Sequence, residues 1–532
     1  MILRIYKLFF IVLVLSVSCL AERDLSNIDK KLTAIVEKAM KTWVVPGAAV
    51  AVVHKGKIVY MKSFGVRKHG QPEKVNEQTK FYLASVTKNF TAMVIAKLVD
   101  EGKLNWDDKV VKYLPEFELH DSEVTAQFTI RDAMGHRSGL RHFTADTMQY
   151  VGMTREQILK ALPLVPLKDR FRQDYGYQNI FIGILGLVIE KATGKPFDEL
   201  LQEYYLKTIG MKNTCVGEKC FEKQNVGFMD KIKSMFSSNN AANVAGLHFV
   251  ADGKPVLVSH NPNHFIFHTS SAIMSSIEDM AKWMIFRLNK GVHEGQQLLS
   301  ETNLLEQERP NIQMKPDQGE TQWPYEVTLN GRPHYGMGWF IHDWMRVRVL
   351  SHMGAFGGVR SLMYIMPEEN TGIVVLCNSG GFRTNYFPES VAFEFLDIFV
   401  DNPTKKDWTK HLHDDFSSRK SKVEQHWKLM KIKNPQPMTN IKEYSGKYVH
   451  KIYGEMEIST KGKKVFLEYK GKKTALEHVN GDIFRLRMFD ISHSYTPDDI
   501  VGVRFYFGED SAQIYISFAF SEGEDPFWYK KK

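Results

Sequence analysis

From Pro46 onward the chain alternates between short apolar runs and polar breaks. Gly47 to Val53 is an unbroken apolar run rich in small and β-branched residues, and His54-Lys55-Gly56-Lys57 is polar with a glycine. Ile58-Val59-Tyr60 then resumes the apolar character, so this stretch predicts a β-hairpin. Between Ser85 and Leu98, the residues Val86, Phe90, Met93, Val94, Ile95 and Leu98 fall mostly at helical spacing. A well-buried helix is predicted there, with Ser85 and Lys88 in its first turn. Phe181 to Ile189 predicts a second buried helix, closed by Thr193-Gly194. Ser361 to Pro367 and Gly372 to Leu376 read as two strands, and Glu389 to Phe399 as a helix that closes this part of the chain.

The texture changes twice more. A charged stretch from Asp401 to Lys433, ending at Pro435 and Pro437, reads as a partly helical linker. Beyond Ile441 short alternating runs recur between turn residues: Tyr444 to Tyr448, Gly454 to Ile458, Lys464 to Tyr469, Val503 to Phe507 and Gln513 to Phe518. Many short strands at regular spacing predict a small antiparallel β-barrel. At the other end, Arg4 and Lys7 precede an apolar run from Leu8 to Val17, followed by Ser18-Cys19-Leu20-Ala21 and the polar Glu22-Arg23-Asp24. This is the pattern of a secretory signal peptide cleaved after Ala21. The run falls short of the ~20 apolar residues of a spanning helix, and an uncleaved anchor is the alternative. The expected layout is a signal peptide at 1–21, a large domain at 22–400, a linker at 401–440 and a barrel at 441–532. The expected location is extracellular, with no stable membrane span once the leader is removed.

Composition narrows the classes. In 532 residues, 43% hydrophobic and 25% charged, the mix is that of a globular protein. Collagen, a disordered tail protein and a multi-span membrane protein are excluded. The net charge of +9 comes from basic residues spread along the chain, without a block of like charges, so a nucleic-acid partner is not expected. Four cysteines exclude a disulfide-stapled miniature scaffold. Leader removal takes away Cys19. Cys215 and Cys220 are close enough in sequence to bridge, and Cys377, inside an apolar run, is expected to be a buried, inert thiol. No Cys or His cluster has ligand spacing, so no metal site is expected.

Three short motifs carry candidate chemistry. In Ser85-Val86-Thr87-Lys88 the i, i+3 spacing puts an ammonium beside a hydroxyl, which gives a serine nucleophile its base. Alone the motif is weak, and a solvated helix face is the bland reading. In Tyr177-Gln178-Asn179 a phenol near two cations can act as general base, and the Asn179 amide can grip a substrate or orient Lys88. A core tyrosine is the bland reading. In His352-Met353-Gly354-Ala355 an edge strand with a glycine would let a substrate backbone approach, and His352 could place a proton or a positive charge opposite a carboxylate. A satisfied surface histidine is the bland reading.

Taken together, the order and spacing of these motifs resemble those of the serine β-lactamase and penicillin-binding protein superfamily, most of all its class C branch. The likeness extends from about Val45 to Phe399. Pro46 to Val53 looks like that family's first core strand, Trp106 to Pro115 like the segment after its nucleophile helix, Arg131 to Leu140 like its "LLSHTSGL" block, and Tyr335-Gly336-Met337-Gly338-Trp339 like its "YGLGW" block. The C-terminal strands resemble a lipocalin-like module. The resemblance implies an α+β fold: an antiparallel sheet flanked by helices, with a helical subdomain, followed by the small barrel. It implies that Ser85 is the acylated nucleophile, that Lys88 and Tyr177 share the general-base role, and that Asn179, His352 and Gly354 bind substrate. The backbone N–H groups of Ser85 and Ala355 would form the oxyanion hole, and no metal or cofactor is needed.

The expected activity is that of a secreted serine hydrolase opening an amide or ester, with a D-amino-acid peptide or a small ester as substrate. His352 stands where class C enzymes carry a lysine, which argues against antibiotic hydrolysis and predicts carboxylate affinity that weakens above neutral pH. The approach to Tyr177, Phe171 to Gly176, lacks the family's Pro-Gly turn, and Ser270-Ser271 stands where a glycine pair is common. The sequon Asn89-Phe90-Thr91 falls in the buried helix and is expected to stay unglycosylated. The competing readings are an inactive binding or self-assembling scaffold on the same fold, and a lipid-carrying barrel with a hydrolase attached.

Overall fold

The strand Gly47–His54 (β1) is apolar from Gly47 to Val53 because both of its faces are covered there. Ala48, Val50 and Val52 face one core, and Ala49, Ala51 and Val53 face another. The computed structural model describes Arg23 and residues 25–221, 242–259, 266–315, 333–381, 385–404, 406–429, 436–438, 441–487, 500–507, 512–517 and 527–531. The expected signal peptide, most of the segment from Glu218 to Phe236, and Pro435 lie outside the described residues.

β1 belongs to an antiparallel sheet of eight strands. With β2 at Lys57–Gly65, β3 at Ile312–Gln313, β4 at His334–Tyr335, β5 at Phe340–Trp344, β6 at Val347–Phe356, β7 at Val359–Met366 and β8 at Thr371–Cys377, the order is β3-β4-β5-β6-β7-β8-β1-β2. The predicted hairpin and the two late strands are present, each within a few residues of its expected ends. One face packs on the helices Ile28–Trp43 (α1) and Phe387–Phe399, the second of which was expected from Glu389. α1 was not expected. Its Leu32, Val36, Ala39 and Trp43 make a narrow buried stripe among lysines.

The other face packs on the helix Ile277–Leu288 and shares its core with the helices Thr87–Asp100 (α2) and Asn179–Thr193 (α3). α3 ends at Gly194, whose φ of 72° closes it in the left-handed conformation. α2 begins later than expected. Ala84–Val86 is a 3-10 turn and the α-helix starts at Thr87, so the Ser85-to-Lys88 spacing crosses a junction between two helix types.

The segment expected as a linker is mostly one helix, Trp408–Leu429. Beyond it, eight antiparallel strands run from Gly446–His450 to Phe527–Lys531, and the first pairs with the last through Tyr448 with Lys531 and Val449 with Lys530. Lys472–Asn480, Ile483–Arg487 and Phe527–Lys531 are strands that the sequence pattern did not mark. Among the described residues no helix is long and apolar enough to cross a membrane. Cys215 and Cys220 are disulfide-bonded, and Cys377 is a buried thiol that burial pushes up to about 12.

Candidate active site

Ser85 is the one residue between Phe81 and Ala96 that is not buried, and Ala355 is the one between Val349 and Met366. Both runs are otherwise core, so the fold opens at these two positions. Gly354 brings them together. A Cβ on it would stand 2.1 Å from the Leu83 carbonyl and 2.3 Å from Ser361 Oγ, so only glycine lets β6 lie against the turn that carries Ser85. Ser361 Oγ donates to the same Leu83 carbonyl at 2.6 Å and ties β7 to that turn. Ala84, just before Ser85, holds a φ of 45°, a conformation that costs a non-glycine residue energy and clusters at functional sites.

β6 was expected at an edge and is not: β5 lies on one side and β7 on the other. The pairing with β5 covers Val347 to Ser351 and stops there, while β7 pairs through Phe356. The half of β6 that carries His352, Gly354 and Ala355 is therefore paired on one side only. The sequence missed the interior half because Phe340–Trp344, interrupted by His342 and Asp343, lacks a strand's alternation.

Lys88 is buried and has three partners. Its Nζ lies 3.1 Å from Ser85 Oγ, 2.6 Å from Asn179 Oδ1 and 3.0 Å from the Ser270 carbonyl. Two of these groups can only accept. A neutral amine has two N–H donors for them and keeps its lone pair for the Ser85 proton. Burial pushes the Lys88 amine down to about 7, against the pull of Asp146. Ser270, which stands where a glycine pair is common, thus supplies a backbone acceptor to Lys88. Thr91 Oγ1 donates to the Thr269 carbonyl and Thr269 Oγ1 to the Ile182 carbonyl, both at 2.7 Å, which fixes that segment between α2 and α3.

Asn179 is the first residue of α3 and lies between Lys88 and Asp146. Its Nδ2 donates to Asp146 Oδ2 at 2.6 Å, and its backbone N–H to Asp146 Oδ1 at 3.2 Å. Because Oδ1 accepts from Lys88, the amide's orientation is determined. Tyr177 stands with its ring centroid 4.9 Å from Lys88 Nζ. Two histidines hold its loop: His142 Nδ1 accepts from the Tyr177 N–H at 2.9 Å, and His136 Nδ1 accepts from the Gln178 N–H at 3.2 Å.

His352 is buried rather than at the surface, and its environment does not give it a charge. Nδ1 lies 2.8 Å from the Met353 carbonyl and therefore donates to it, which leaves Nε2 to accept from the Tyr335 hydroxyl at 3.0 Å. Burial pushes this imidazole down to about 3, with Lys88 adding to the effect. The expected loss of carboxylate affinity above neutral pH does not follow from a histidine that is neutral throughout that range. Nor does Tyr177 have two cations beside it, since His352 is not one.

Ser85, Lys88, Tyr177, Asn179, His352, Gly354 and Ala355 are thus gathered around the opening at Ser85. Sequence reasoning missed Asp146, His142 and the role of Tyr335. Asp146 sits in a stretch without periodicity, 33 residues from its partner, and carries no local signal.

The chain resembles known proteins over most of its length. A family model described as Beta-lactamase matches residues 32–388, and one described as a domain of unknown function (DUF3471) matches residues 430–526. Protein flp of Staphylococcus aureus strain MW2 is 26% identical over 366 residues, 68% of this chain and 65% of its own length. The chain thus spans a little under two thirds of that relative. Unguisins hydrolase ungD of Aspergillus violaceofuscus is 23% identical over 491 residues, 87% of this chain and 83% of its own. Among solved structures, the octameric penicillin-binding protein homologue from Pyrococcus abyssi aligns with a TM-score of 0.57 at 21% identity, covering 94% of this chain and 99% of that one. These structural likenesses speak for the fold alone. With the family model spanning residues 32–388, and a serine, a buried lysine and a tyrosine gathered at one opening, the chain belongs to the Beta-lactamase family.

Proposed function

We propose that this protein is a secreted serine hydrolase of the class C type that opens amides or esters through an acyl-enzyme on Ser85. The observation that carries this reading is the contact of Lys88 Nζ with Ser85 Oγ at 3.1 Å, inside a site that holds the amine down to about 7. Ser85 Oγ attacks the substrate carbonyl and its proton passes to the Lys88 amine. The tetrahedral oxygen is held by the backbone N–H groups of Ser85 and Ala355. The C–N or C–O bond breaks, the departing amine or alcohol takes a proton from Lys88 or Tyr177, and water then cleaves the ester on Ser85. The N–H of Asn179 not bound by Asp146 and the one-sided half of β6 face the substrate. A D-amino-acid peptide or a small ester is the proposed substrate class, and a relative named as a hydrolase supports hydrolysis. We read residues 1–21 as a removed leader, 22–400 as the hydrolase domain, 401–440 as a linker and 441–532 as a lipocalin-like barrel; pairing of the first and last C-terminal strands supports the last.

The test is the intact mass after incubation with a fluorophosphonate, wild type beside Ser85→Ala. One adduct on the wild type and none on the variant is the expected result. No adduct on a folded wild type would overturn the reading and favour a scaffold.

A further inference from the structure

The buried carboxylate of Asp146 has no role in the scheme above. It is buried on the short helix Asp146–Tyr150, entered through Ala145 at a φ of 72°. It touches neither Ser85 nor Lys88. Its Oδ2 takes one side-chain N–H of Asn179 at 2.6 Å and its Oδ1 the backbone N–H at 3.2 Å, the Ile180 N–H also donating to the carboxylate, while the Asn179 carbonyl oxygen takes Lys88 Nζ at 2.6 Å. A primary amide held at its nitrogen end by a carboxylate has no freedom to present that nitrogen to the lysine.

We infer that Asp146 is a positioning residue of the hydrolytic site, which through the Asn179 amide fixes the acceptor of Lys88 and sets the proton affinity of that base. The inference rests on the proposed hydrolase reading. Asp146 and Lys88 are opposite charges bridged by one amide, so the carboxylate favours the ammonium. The other groups around the lysine do not substitute for it. His136 and His352 are buried and held well below the ordinary imidazole range, His142 is committed through Nδ1 to Tyr177, and Tyr177 presents its ring. Asp146 itself is pushed up to about 7 by burial, so the two groups titrate as a pair.

The reaction that reads this is phosphonylation. Ser85 Oγ attacks phosphorus, its proton goes to Lys88, and fluoride leaves. The labelling rate of the full chain is measured against pH for wild type, Asp146→Asn, Asn179→Ala and the double variant. In Asp146→Asn the Asn179 amide loses its fixed orientation and Lys88 its counter-charge. The limiting rate is expected to fall at least about tenfold and the midpoint to move down by about one pH unit. Because Asp146 acts through Asn179, the double variant should be no slower than Asn179→Ala. A lower rate with an unmoved midpoint, or losses that multiply in the double variant, would overturn the inference while wild-type labelling still upheld the hydrolase reading. Absence of wild-type labelling would defeat that reading instead. Should Asp146→Asn not fold, Asp146→Glu carries the test: keeping the carboxylate, it must label with the wild-type midpoint, and a downward shift would overturn the inference.

Discussion

Gly354 lies so close to Leu83 that strand β6 and the turn carrying Ser85 meet backbone to backbone. A methyl group there would stand 2.1 Å from the Leu83 carbonyl oxygen and 3.1 Å from the Ala84 Cβ. Gly354→Ala therefore has to push β6 away from Ser85. The expected cost is about 1–3 kcal/mol of stability, from overpacking. A displacement of about 1 Å between reacting groups costs on the order of a hundredfold in rate. Thermal unfolding together with the fluorophosphonate labelling rate checks both. A variant that labels at the wild-type rate would mean that Ala355 does not line the reaction site.

The pH dependence of labelling has a definite sign. In the proposed scheme Lys88 takes the Ser85 proton only as the free amine, and the amine is held down to about 7. The rate should rise between about pH 6 and about pH 8 and then level off. His352, held down to about 3, adds no step there. The affinity of a carboxylate-bearing ligand should accordingly show no histidine titration between about pH 5 and 8, measured by calorimetry at fixed ionic strength.

The cysteines give a counting experiment. Among the described residues of the folded, unreduced protein Cys377 is buried and Cys215 and Cys220 are bridged, so a thiol reagent should find no reactive group there. Unfolding without reductant should expose Cys377, and reduction should add Cys215 and Cys220. One further thiol before reduction would be Cys19, so the same assay reports whether the leader is still present. Breaking the short disulfide loop should cost about 2 kcal/mol by chain entropy, seen as a lower unfolding midpoint.

Asn89 fits the sequon but not a glycan. Its side chain is fully buried and its Nδ2 donates to the Gly338 carbonyl, where Gly338, at a φ of 79°, sits against the backbone of Lys88. Protein made through a secretory pathway should show no mass change on glycosidase treatment at this site. Asn89→Ala should lower stability by about 1–3 kcal/mol, because the Gly338 carbonyl is left unpaired.

What the sequence revealed divides along physical lines. β1, β8 and the part of β7 from Leu362 to Met366 were legible because burial on both faces writes a nearly continuous apolar run. The nucleophile motif was legible because its partners are three residues apart. α1 was not, since Lys30, Lys31, Lys38 and Lys41 crowd its narrow apolar stripe. Nor was the state of His352. Imidazole charge depends on what surrounds the ring, and Tyr335, Phe340 and Lys88 arrive from other strands and from a helix. The Asp146–Asn179 pair is likewise a product of tertiary packing alone.

The isolation of Ser85 among buried neighbours has a practical consequence for chemical profiling. A reagent that acylates serines meets many hydroxyls, yet that of Ser85 has the Lys88 amine 3.1 Å away to take its proton. A mild electrophile used at neutral pH should leave a single mark, so this protein can be followed in a mixture by its adduct before its natural substrate is known.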